Sequence, residues 1–174
     1  MDNTSIKTAP YALRYGLIYG IILVVFAIML YTMDMHYQNS TLSTVVNILI
    51  GVGGILWGML AYKKDNGGFI SLSQSLKVGV AVALVGSLVG IIYGVVLTEF
   101  IDPTTMDKAL EFQKQQMLSQ NPEMSVEQAN QFVDMQKKFS SPLIRSAFGL
   151  LFGIFFGFIV ALISGLVIKK NRPE

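Results

Sequence analysis

The sequence predicts an all-α fold: a polytopic membrane protein with four transmembrane helices and an extracytoplasmic two-helix amphipathic insertion between the third and the fourth. Three observations carry that expectation. Four apolar runs, over residues 13–33, 42–62, 76–98 and 143–168, keep charge out of their interiors, and each matches the roughly 20 residues that about 30 Å of hydrocarbon requires. Hydrophobic residues make up 52% of the 174 and charged residues 14%, against about 25% charge in a soluble domain. Small residues recur at four-residue intervals within the runs, the spacing that lets helix backbones approach where lipid alone gives no reason to associate. The chain, 1–174, reads as one membrane domain.

The elements follow in order. Residues 1–10 form a short polar lead, and the run that begins after Arg14 ends in Tyr31-Thr32-Met33-Asp34. It is longer than the apolar core of a signal peptide and offers no small-residue cleavage site, so it reads as an uncleaved first span. Gly16 and Gly20 give it a short small-residue face. Gly54 and Gly58 do the same in the second span, which Lys63 and Lys64 are expected to stop. Asp65-Asn66-Gly67-Gly68 is a turn by composition, and Ser71 with Gln74 fits a capping box ahead of the third span. That span carries Gly86, Gly90 and Gly94.

Between 99 and 141 the composition changes: glycine vanishes and glutamine becomes common. Thr104 or Thr105 is expected to cap one amphipathic helix, Asn121-Pro122 allows the chain to reverse, and Ser125 with Gln128 caps another. The two are expected to pack on each other. Ser141-Pro142 then opens the last span with a cap and a proline at its first position. There Gly149, Gly153, Gly157, Ala161 and Gly165 fall at strict four-residue intervals.

Lysine and arginine set the orientation. The side of the two termini and the 63–77 turn holds eight of the thirteen basic residues and three of the eleven acids, whereas the other side holds five and eight. Both termini are therefore expected in the cytoplasm. The third and fourth spans then run antiparallel, and matched depth pairs Gly94 with Gly149, Gly90 with Gly153 and Gly86 with Gly157.

Chemistry is sparse. With no cysteine and one histidine, His36, no metal or other cofactor site is expected; a metal at His36 would need ligands brought from afar, such as Glu99 or Asp102. Tyr19, Asn47, Ser87, Tyr93 and Ser164 are the polar candidates inside the spans, expected to hydrogen-bond between helices. No base, nucleophile and orienting group share a pattern, so no catalytic residue is assigned and the chain is not expected to be an enzyme. No basic cluster interleaved with aromatics suggests nucleic acid. The partners expected are membrane lipid and either another protein or a second copy of the chain.

Tyr15-Gly16, Asp65-Asn66-Gly67-Gly68-Phe69-Ile70-Ser71, Ile92-Tyr93, Met124-Ser125-Val126-Glu127-Gln128, Ser141-Pro142 before a glycine-rich helix, and Lys169-Lys170 after it occur in an order that resembles the bacterial domain-of-unknown-function family 4199. The resemblance covers nearly the whole chain. It implies a four-span inner-membrane protein of a Bacteroidota-type bacterium and assigns no activity to any residue. The function expected is a structural, assembly or partner-binding role through the outer hairpin, the alternative being a small oligomeric transporter or channel component.

Overall fold

The structure is a computed structural model that describes residues 6–38 and 40–172; the first five residues of the polar lead lie outside it. The described residues form α1 (Ala9–Thr32), α2 (Thr41–Asp65), α3 (Leu72–Val96), α4 (Thr105–Gln120), α5 (Val126–Lys138) and α6 (Pro142–Ile168), and α3 runs on into a π-helical turn, Leu97–Ile101. Four of these, α1, α2, α3 with its π turn, and α6, are long and apolar enough to cross a membrane. The short pair α4 and α5 lies between the third and fourth.

Local chemistry accounts for the boundaries. α1 closes in a Schellman motif: Asp34 N–H donates to the Tyr31 carbonyl and Met35 N–H to the Leu30 carbonyl, with Asp34 at φ 55° in the left-handed position that glycine usually fills. Ser40 caps α2. This helix does not stop at Lys63 and Lys64 but continues to Asp65, because lysines in a last turn suit the helix dipole and the Lys63 ammonium donates to the Ile168 carbonyl at the end of α6. Gly67 and Gly68 then turn the chain at φ 73° and 86°. Capping boxes form at Ser71–Gln74 and Ser125–Gln128, and Ser141 caps α6 ahead of Pro142.

α4 differs from expectation. Thr104 stands at its N-cap position without capping it, since its hydroxyl and its N–H both donate to Asp102 Oδ1. Asp102 therefore turns the chain into the helix, and Thr105 is left free to face inward.

α3 is central. It packs against α1, α2 and α6, α2 also touches α1 and α6, and α1 and α6 do not meet among the described residues. The bundle closes tightly at the end that holds both termini. Ile55, Met59, Tyr62, Ile70, Val78, Val82, Ala83, Val160 and Ala161 form one buried cluster there. Below it, Ile70 and Lys170 exchange both backbone hydrogen bonds in an isolated antiparallel bridge, and Arg172 donates to the carbonyl and side-chain oxygens of Asn66. We call this the tail end and the opposite one the hairpin end.

The α3–α6 interface is built on a different face of α3 from the one expected. Gly165 lies against Ser75, Ala161 against Gly79, Gly157 against Ala83, Gly153 against Ser87 and Gly149 against Ile91, an antiparallel ladder of five levels. The glycines expected there do other things: Gly86 is covered by the Tyr19 ring, and Gly90 and Gly94 have no atom near where a Cβ would stand. The displacement is three residues, about 4.5 Å in depth but about 60° around the helix. The reason is that α1 needs the Gly86 face. Gly16 sits against Val85 and the Val82 carbonyl, and Gly20 against Val89 and the Gly86 carbonyl, so α3 gives α1 the face that carries Val82, Val85, Gly86 and Val89 and gives α6 the stripe of Ser75, Gly79, Ala83 and Ser87.

Candidate functional site

Toward the hairpin end α2 and α6 part. Gly51 still touches the Phe156 ring, but beyond that level a cavity of about 460 Å³ opens, lined by Tyr19 and Leu23 of α1, Thr44, Asn47 and Ile48 of α2, Ser87, Gly90 and Ile91 of α3, and Gly149, Phe152, Gly153 and Phe156 of α6. Its size is that of a small-molecule pocket, apolar with a few convergent polar groups.

Three of the five polar residues singled out inside the spans, Tyr19, Asn47 and Ser87, thus come together, although α1, α2 and α3 supply one each. Tyr93 and Ser164 do not join them. Packing explains how each is aimed. The Tyr19 ring is held between Gly54 and Gly86, which both lack the Cβ that would collide with it, and this leaves its hydroxyl beside Gly51; the Ser87 hydroxyl lies beside Gly153. Neither glycine has a side chain to hydrogen-bond. Asn47 donates from its side chain to the Ser43 carbonyl at 2.9 Å and Thr44 to the Ser40 carbonyl at 3.1 Å, each using only part of its capacity. On the same helix Gly58 meets Val82 and Tyr15 and belongs to the packed end.

A second cluster fixes the hairpin to the bundle. The short connection after α1 folds back so that His36 Nε2 lies 3.3 Å from the Thr105 hydroxyl and 3.5 Å from Asp102 Oδ2, the oxygen that also takes Lys108 at 3.1 Å. Tyr37 stands edge-on to Phe112, with the Lys108 ammonium over its ring. The Thr104 hydroxyl and then the Lys108 ammonium hold the Asp102 carboxyl well below the usual carboxylate range, and Asp102 in turn raises Lys108. His36 and Asp102, far apart in sequence, do meet here. Among the described residues no third histidine or carboxylate joins them in a metal-ligating group.

The hairpin's other foot is tied by Arg145, which donates to the Thr98 hydroxyl and to Glu99, each at 3.0 Å. Within the hairpin α4 and α5 pack on each other, with Leu110 and Ala129 buried and Lys137 3.7 Å from Asp107. α5 and its C-cap residue leave Phe132, Met135 and Phe139 exposed, at 42%, 56% and 57%. Their spacing places them on one face, beside the face that Ala129 buries.

The cavity is not legible in the sequence, because convergence of three helices depends on register. Ser75, Gly79, Ala83 and Ser87 are legible there as a stripe of small residues at four-residue spacing, provided that serine and alanine count alongside glycine. Gly94 lines only a small recess with Arg145.

No curated protein and no solved structure matches the chain. The model of the family described as "Protein of unknown function (DUF4199)" matches residues 14–170, nearly the full length and all four spans, and the chain, a multi-pass membrane protein, belongs to that family.

Proposed function

We propose that the chain is a non-catalytic protein of the bacterial inner membrane, with both termini in the cytoplasm, whose outer hairpin α4–α5 docks another extracytoplasmic protein. The observation that carries this is the apolar face of α5. Phe132, Met135 and Phe139 recur at the i, i+3, i+7 spacing with which a helix seats in a hydrophobic groove, and among the described residues α5 packs on no other helix than α4. The base of the hairpin is held by the Asp102 and Arg145 clusters, so the face is presented at a fixed place. Its charges favour a protein over a lipid surface: Glu127 and Asp134 balance Lys137 and Lys138, whereas helices that lie on anionic leaflets carry an excess of lysine and arginine. The partner that fits is a protein with an apolar groove bordered by charges of both signs.

A photoreactive residue at Met135, activated in intact cells, tests this. One adduct with a second protein is expected, and that protein, once purified, should bind the full chain in nanodiscs and not the Phe132→Asp, Phe139→Asp variant. Adducts with lipid alone, or only with a second copy of the chain, would overturn the reading. So would a stable multimer that conducts solute across liposomes, the behaviour of a transporter or channel component.

A further inference from the structure

The cavity between α2 and α6 has three properties that together define what fits it. It lies within the depth of the spans, from Tyr19 and Ser87 near their middle to Thr44 near the hairpin end. Its walls are mostly apolar, with Leu23, Ile48, Ile91, Phe152 and Phe156 supplying the surface. Its polar groups are two phenol or alcohol hydroxyls without a side-chain partner opposite them, one amide and one threonine hydroxyl, and no residue lining it carries a charge. Inside a bilayer an unmatched hydroxyl or amide is costly, and a charged ligand group at that depth without a counter-charge is costlier. A ligand that hydrogen-bonds through an uncharged carbonyl or hydroxyl, and is otherwise hydrocarbon, satisfies both constraints.

We infer that this cavity is a binding site for an uncharged lipid, which enters sideways between α2 and α6 from the hairpin-side leaflet and places a carbonyl or hydroxyl group against Tyr19, Asn47 and Ser87. The gap between the two helices is the entrance, and the Gly51–Phe156 contact is the floor. Gly90 keeps the space open: a Cβ there would meet nothing within 4 Å, so the missing side chain leaves room in the cavity and does nothing for packing. This site is independent of the hairpin's partner.

The test uses the full chain in phosphatidylcholine vesicles with Trp57→Phe, which removes the one tryptophan, and Phe152→Trp, which puts a reporter on the cavity wall. Quenching by brominated diacylglycerol is compared with quenching by brominated phosphatidylcholine and brominated phosphatidylglycerol. Diacylglycerol is expected to reach half-maximal quenching at a mole fraction about tenfold lower than either, a difference of about 1.4 kcal/mol. Gly90→Leu, which fills the cavity from open space, should abolish the preference without lowering the thermal melt. Tyr19→Phe with Ser87→Ala should abolish it with the cavity's shape retained, and this pair decides the matter if Gly90→Leu does not fold. Coincident quenching curves, a preference for phosphatidylglycerol, or a preference that survives removal of the two hydroxyls would each overturn the assignment.

Discussion

Asp34 holds a backbone conformation that costs an L-residue on the order of 1 kcal/mol and glycine nothing. It is exposed, and the attraction it offers Lys108 across the gap is screened by solvent. Asp34→Gly is therefore expected to stabilise the protein by up to about 1 kcal/mol, read from the unfolding midpoint in mixed micelles. Asp102 works in the other sense. Its carboxylate accepts from Thr104 and Lys108 and lies beside His36, and its acidity is increased on folding from an ordinary value of 3.8. A carboxyl depressed in this way contributes fully above the unfolded value and loses that contribution as pH falls through the folded one. Asp102→Asn should speed hydrogen exchange over 102–112 at neutral pH with the spans unchanged, and the acid loosening that the substitution removes should lie below pH 3.8. The capping residues Ser71, Ser125 and Ser141 were legible in the sequence because a cap is decided within four positions. Thr104 misled because its hydroxyl had a nearer acceptor in Asp102.

At the scale of elements, the helices were legible and their faces only in part. Length and hydropathy place a span without reference to its neighbours, but which side of α3 meets α6 depends on what α1 requires of the opposite side. Counting glycines alone selected Gly86, Gly90 and Gly94, when the stripe that packs on α6 is Ser75, Gly79, Ala83 and Ser87. One methyl group distinguishes the two registers. Gly157→Ala drives a Cβ into Ala83 and should cost roughly 1–3 kcal/mol through overpacking. Gly94→Ala meets open space and should gain about 0.5–1 kcal/mol, the difference in helix propensity. Leu151→Ala, at a side chain 64% exposed, should change the midpoint little. Equal losses at Gly94 and Gly157 would mean that α3 presents its glycines to α6 after all.

The molecule as a whole is closed at one end and open at the other. Buried apolar volume, the Ile70–Lys170 bridge and the Lys63 and Arg172 contacts gather at the tail end, while α2 and α6 separate toward the hairpin. The sequence announced the four spans and the change of composition at 99, but not this asymmetry. The bridge has no sequence signature, since Ile70 and Lys170 are ordinary flanking residues until two spans have been set side by side. The proposed orientation has a direct test: a reporter active only in the cytoplasm, fused after Ser119, is expected to stay dark, and strong activity would reverse it.

The bridge also bears on how the protein is made. Ile70 is synthesised a hundred residues before Lys170, an interval of about 5 to 20 s at ordinary rates of chain growth. Throughout that time the α2–α3 connection has to hold its shape without the last helix. It can, because the Asn66 side chain donates to the Phe69 carbonyl and the Gly68 N–H to the Lys63 carbonyl, bonds that need nothing synthesised later. The α2–α3 connection is therefore expected to take its shape before α6 arrives, with the backbone bridge closing last.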